Sequence, residues 1–263
     1  MIIRRLLSTL LLLASGGAGS SQSADAQQVP LAQFDRSRYV QHLMDLQVAF
    51  TSPPPTGISV AAKEVARHGS SGKDLVVQYQ IFLKGIPENT LLTSWQLPVE
   101  ADKLSETFNG ISVGKDGVLI CAGRTPEQCG DAKNPDDPIE FTFQPLKGEP
   151  SRLVFTAGQT RIGLMIVPDP VEAHNKGCSL TATRLSTSFQ LAFLSGDGYT
   201  PDTDIHYRFI SDATKEDVIR SDANGVIRIA MLAHSSDKKN GRAVFEITEK
   251  NCSPKVSYEW GNP

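Results

Sequence analysis

Four cysteines, Cys121, Cys129, Cys178 and Cys252, are the residues of this 263-residue chain best suited to covalent chemistry. In an oxidising compartment an even count reads as disulfides, and four cysteines allow three connectivities. Spacing favours one. Cys121 and Cys129 bracket Ala-Gly-Arg-Thr-Pro-Glu-Gln, a loop composed for turning, which leaves Cys178 to pair with Cys252 across a long loop. The rival chemistry, a metal centre, needs Cys-x-x-Cys spacing or nearby histidine ligands, and neither is present.

The other reactive residue types are scattered. His42, His68, His174, His206 and His234 stand singly, with no His-Glu-x-x-His motif. No Gly-x-Ser-x-Gly elbow, phosphate-cradling loop or dinucleotide motif occurs. His68-Gly-Ser-Ser-Gly72 puts hydroxyls near a base without a third group to orient it, and reads as a polar loop. Asp197, Asp202, Asp204, Asp222 and Asn224 have the oxygen chemistry for calcium. Residues 197–208 lack the central glycine and final glutamate of an EF-hand, and Asp and Asn are ordinary turn residues. Asp131, Asp136 and Asp137, set among Pro135 and Pro138, read as a solvated loop rather than paired catalytic carboxylates. Trp95, Tyr199, Tyr207, Tyr258 and Trp260 are candidates for a sugar platform. Trp260 closes the alternating run Val256-Tyr258-Trp260, which favours core packing. The expectation is a chain with no catalytic residue, no cofactor and no metal.

The N-terminus supplies the compartment. Arg4 and Arg5 precede an apolar stretch over 6–14, and Ala24-Asp25-Ala26 has the form of a cleavage site. Residues 1–26 read as a secretory signal peptide, too short to span a bilayer, with the mature chain starting near Gln27. No cysteine near the cleavage region offers a lipid anchor, and no later stretch approaches the ~18 apolar residues of a spanning helix. The formal net charge of −3 gives no general attraction for nucleic acid or anionic lipid. A periplasmic or secreted protein is expected.

The elements that must position these residues are mostly strands. Residues 27–57 read as a polar leader, a short helix and a proline-rich connector. Over 36–50, Tyr39, Leu43, Leu46 and Phe50 share one helical face behind Asp35 as N-cap, and the prolines of 51–57 end the helix. From 58 to 170 short apolar or alternating runs recur at 58–65, 75–83, 91–99, 111–113, 118–121, 139–143, 153–155 and 162–167, with 114–117 as a tight hairpin. Residues 167–177, with Pro168 and Pro170, break the pattern and mark a domain boundary. Seven further strands follow, at 179–186, 189–195, 204–211, 216–221, 226–232, 242–248 and 255–260. The fold expected is all-β: two β-sandwich-like domains, the second (176–263) immunoglobulin-like with seven strands and able to fold alone, plus the short N-terminal helix. Cys178 at the start of the first strand and Cys252 just before the last suit strands that run parallel side by side.

Gly196-Asp-Gly-Tyr-Thr-Pro201, Asp222-Ala-Asn-Gly225, Asn251-Cys252-Ser253 and Tyr258-Glu-Trp-Gly261 are turn and packing features. On these, residues 176–261 resemble bacterial secreted immunoglobulin-like β-sandwich modules. The resemblance implies a fold and an extracytoplasmic setting, and no activity. Three functional readings follow. The leading one is a non-enzymatic exported protein that binds a partner, another protein or a cell-surface glycan. The second is an assembly chaperone of the PapD-like type, for which Arg67 and Arg161 are the available basic anchors. The third is a carbohydrate-binding module or hydrolase with a site built from distant residues.

Overall fold

Side-chain alternation builds the first pair of sheets. Val77, Tyr79, Ile81 and Leu83 fall on one face of a strand and are all buried, while the residues between them stay half-exposed. In the computed structural model, which describes residues 36–70, 74–101, 103–122, 134, 136–233 and 238–261, this strand is β2 (Val76–Lys84). It lies between β1 (Ser59–His68) and β6 (Glu140–Phe143). The opposing antiparallel sheet has the order β5-β4-β3-β7-β8, formed by β3 (Leu91–Leu97), β4 (Ser105–Val113), β5 (Leu119–Ile120), β7 (Ser151–Ala157) and β8 (Thr160–Ile166). Leu75, Ile81, Leu83, Ile111, Leu119 and Phe155 from both sheets share one buried cluster. The 114–117 turn forms where expected. Gly117 sits at φ +84, and a Cβ there would come within 2.6 Å of the Leu83 carbonyl oxygen, so only glycine closes this turn without strain.

All seven strands expected in the second half are present: β10 (Cys178–Arg184), β11 (Leu191–Gly196), β12 (Asp204–Ile210), β13 (Thr214–Arg220), β14 (Ile227–Leu232), β15 (Asn240–Ile247) and β16 (Lys255–Gly261). The chain makes β10 and β11 in one sheet, crosses to β12 and β13, returns to β14 beside β11, and finishes with β15 and β16 beside β12. That crossing pattern is immunoglobulin-like. Leu180, Leu194, Ile227, Phe245, Ile247 and Trp260 fill the space between the sheets.

One strand falls where a break is expected. β9 (Val171–Asn175) pairs antiparallel with β10, Val171 opposite Ala182, and extends the sheet to β14-β11-β10-β9. Pro168 and Pro170 exclude a central strand, but β9 is an edge strand that begins just after them, where no donor is needed from either proline.

Cys178 and Cys252 are bonded, with Cα atoms 6.1 Å apart; Cys178 opens β10 and Cys252 lies just before β16, but the two strands belong to opposing sheets, so the bond ties the sheets together rather than parallel neighbours paired in one sheet. Cys121 is also disulfide-bonded. Its expected partner Cys129 lies outside the described residues, as do the expected signal peptide and leader, Asp35, Ser71, Gly72, Asp131 and His234.

The helix α1 (Arg36–Thr51) forms over the expected span, with Leu43 of the expected face buried. Leu43 is 3 % exposed and packs with the half-buried Val40 and Met44 against Leu185, Leu191 and Phe193; Leu46, also half-buried, is not part of that cluster. The reason lies in β11. Leu191-Ala192-Phe193-Leu194 is apolar without alternation, so both faces of the strand need cover. Ala192 and Leu194 face the inner core, and Leu191 and Phe193 face outward, where α1 lies over them. On its other side α1 meets β8, with Phe50 passing over Gly163.

Candidate functional site

The acidic turns are closed on themselves. Asp222 Oδ1 accepts the N–H groups of Asn224 and Val226 at 2.9 and 3.0 Å, and Oδ2 pairs with Arg228 at 2.8 Å. The Val226 N–H, then Arg228 and Asn224, hold the Asp222 carboxyl below the usual aspartate range. Asp197 accepts from the Ser179 hydroxyl at 2.8 Å, and Asp204 pairs with Arg220 at 3.4 Å. Asp137 accepts from the backbone and side chain of Asn134. Among the described residues no three His, Cys, Asp or Glu side chains gather in a way that holds a metal. His42, His68, His174 and His206 are exposed and lie on α1, β1, β9 and β12 respectively.

The aromatic candidates are committed to packing. Tyr199, Tyr207, Tyr258 and Trp260 are buried in the second core, with Tyr207 stacked on Phe245 at 4.8 Å and Tyr258 on Phe189 at 4.2 Å. The Tyr199 hydroxyl donates to the Ser179 carbonyl at 2.8 Å, and its burial pushes its pKa well up. Trp95 is half-buried and donates its ring N–H to Thr156 Oγ1 at 3.1 Å. These rings offer no exposed platform on which a sugar stacks. The two basic candidates sit apart in role. Arg67 forms a bidentate pair with Glu64, both distances 2.7 Å, and donates to the Pro168 carbonyl at 2.8 Å, whereas Arg161 is an exposed residue of β8.

An open cleft of about 650 Å³ lies at the disulfide end of the second sandwich, lined by Tyr199, Asp204, His206, Glu249, Lys250 and Cys252 among others. One of its carboxylates is engaged in the fold: Glu249 Oε1, on the turn between β15 and β16, accepts the His206 N–H of β12 at 2.9 Å. Nothing in it converges on a common point.

One buried cation that is not self-contained lies under α1. Arg152, on β7, is 2 % exposed, although an arginine at an outward strand position reads as solvated. Its Nη2 donates to Gln47 Oε1 at 3.0 Å, and Gln47, 1 % exposed, donates in turn to Met165 Sδ at 2.8 Å. Arg152 Nε has no partner. Burial pulls the Arg152 pKa down to about 10, with Glu149 opposing. Nearby, Arg184 donates to the carbonyls of Lys147 and Thr187 and lies 4.5 Å over the Phe189 ring. Burial lowers its pKa also, again opposed by Glu149. Two buried guanidinium groups thus share the field of one carboxylate, Glu149, whose Oε2 is occupied by the Leu146 N–H at 2.8 Å. Sequence reasoning missed Arg152 and Gln47 because each looks like an ordinary surface residue of its own element. The two side chains meet where α1 docks, and no local signal reports a tertiary contact.

No family model matches the chain, and no curated protein matches it. Among solved structures it is similar to a tetra-tandem repeat in the extending region of a large adhesion protein, with a TM-score of 0.26 and 8% sequence identity. The match covers 77% of this chain and 49% of the other, so the chain spans about half the length of that neighbour. A likeness this distant does not speak to function. What stands is an all-β chain of β-sandwich architecture that carries a disulfide, in which no described helix is long and apolar enough to cross a membrane.

Proposed function

We propose that this chain is an exported, non-enzymatic interaction module whose partner is another protein. The observation that carries this reading is the helix in its groove. The outer face of the β14-β11-β10-β9 sheet presents Leu185, Leu191 and Phe193, and an amphipathic helix lies in it. Helix-in-groove docking is a recurrent mode of protein recognition. A glycan partner finds less support, since the tyrosines and Trp260 lie in the core. Metal-dependent catalysis finds less still, since no three described His, Cys, Asp or Glu side chains gather to hold a metal. The signal-like N-terminus and the Cys178–Cys252 bond support a periplasmic or secreted setting.

Two binding assays on the full chain test the reading. On a glycan array the chain is expected to show no saturable binding. Against its own extracytoplasmic proteome, chemical cross-linking followed by mass spectrometry is expected to return one protein partner linked near α1 or the β11–β14 face. Saturable glycan binding without a protein cross-link at that face contradicts it.

A further inference from the structure

We propose that the groove under α1 receives an amphipathic helix of a partner protein, one that carries a carboxylate where α1 carries Gln47. This rests on the reading of the chain as a protein-binding module and specifies the partner's chemistry. The groove has an apolar floor and one charged end. Leu185, Leu191, Phe193 and Ala230 make the floor, and Val40, Leu43 and Met44 fill it. At the end stands Arg152, buried, with a neutral amide as partner and Nε without one. A guanidinium presents a planar fork that matches a carboxylate through two parallel hydrogen bonds, and a buried cation lacking such a partner is costly. Gln47 supplies one acceptor oxygen and no charge. A glutamate at that position has the same length and supplies two oxygens and the missing charge.

The resident helix is also weakly held on its own account. It is 16 residues long, with no acidic residue in its first turn and no basic residue in its last. Its C-terminal end therefore lacks a compensating cation, and a helix in a protein draws most of its stability from tertiary packing. Its link to β1 is the largely exposed stretch 52–57, which belongs to no sheet. The helix can leave without breaking a strand pair. A second copy of this chain brings the same glutamine and offers Arg152 nothing new. A partner helix with apolar residues spaced as Val40, Leu43 and Met44, and Glu at the position of Gln47, offers both the floor contacts and the ion pair.

Fluorescence anisotropy on the full chain tests this with three labelled 16-residue peptides: the α1 sequence, the same sequence with Gln47→Glu, and the same with Gln47→Lys. The Glu peptide is expected to bind about tenfold or more tighter than the native one, the step that a charge-assisted hydrogen bond confers. The Lys peptide is expected not to bind. In the Arg152→Met chain the preference for Glu is expected to vanish. Equal affinity for the Glu and native peptides, or a preference that survives Arg152→Met, overturns the proposal. A second variant guards against misfolding of the first: Gln47→Glu within the chain is expected to raise its melting temperature, and a fall overturns the proposal. Should no peptide bind while the cross-linking assay still returns a protein partner, the groove assignment fails and the wider reading survives.

Discussion

Replacing Cys178 and Cys252 together by alanine is expected to cost roughly 4 kcal/mol of stability, the entropy of leaving open a loop of this length in the unfolded chain. The two cysteines are separated by 74 positions and join the first and last strands of the immunoglobulin-like sandwich. For a chain of this size the loss corresponds to a fall in melting temperature on the order of 10 °C, since each kcal/mol moves the midpoint by about 2–4 °C. Calorimetry of the oxidised wild type against the double variant reads it directly. A shift under about 2 °C would mean that the unfolded chain is already constrained there by other means.

Phe189→Ala is expected to cost about 3–5 kcal/mol, the range for truncating a buried phenylalanine. Phe189 is 1 % exposed, stacks on Tyr258 at 4.2 Å and carries Arg184 over its other side at 4.5 Å. It holds this place at φ 56, a left-handed conformation that costs a side-chain-bearing residue about 1–2 kcal/mol, so its contacts must outweigh strain as well as entropy. It also joins the two halves of the fold. Gly148, on the loop after β6, packs so close that a Cβ there would lie 2.7 Å from Phe189 Cζ. Gly148→Ala should therefore be destabilising in the wild type and less so in the Phe189→Ala background. Chemical denaturation of the four proteins in that cycle measures the difference. Strict additivity would show that the loop and the ring do not bear on one another.

What the sequence reveals of this fold follows from where the deciding interactions lie. Period-two alternation marks β2 and β12 because their burial is one-sided, and the Gly-rich turns mark the hairpins because backbone sterics are local. The pairing of Cys178 with Cys252 is readable from the short loop that sets Cys121 and Cys129 aside, although the bond joins opposing sheets rather than parallel neighbours. Less is readable where one element covers another. The first half of β4 is Ser105-Glu-Thr-Phe-Asn-Gly110, too polar to announce itself, and it is held by pairing with β3 rather than by burial. β9 was masked by prolines that turn out to precede it. The partners of α1 lie on β11 and β8, about 150 and 120 residues away along the chain, so helical periodicity marks Leu43 and Phe50 but not the Val40 and Met44 that join Leu43 in its cluster. Arg152 is the extreme case, a charge at an outward strand position that is buried with Gln47 of that helix against it.

Everything proposed for this chain depends on α1 lying in its groove in solution, and NMR of the full chain tests that directly. Nuclear Overhauser contacts are predicted from the Leu43 methyl groups to the Phe193 ring and to Leu191, and the amides from Leu43 to Gln47 are predicted to exchange with solvent far more slowly than those of an unstructured peptide. Absent contacts, together with unprotected exchange through that turn, would mean that the apolar face of β11 is bare and Arg152 open to water, and the case for a helix-binding groove would not stand.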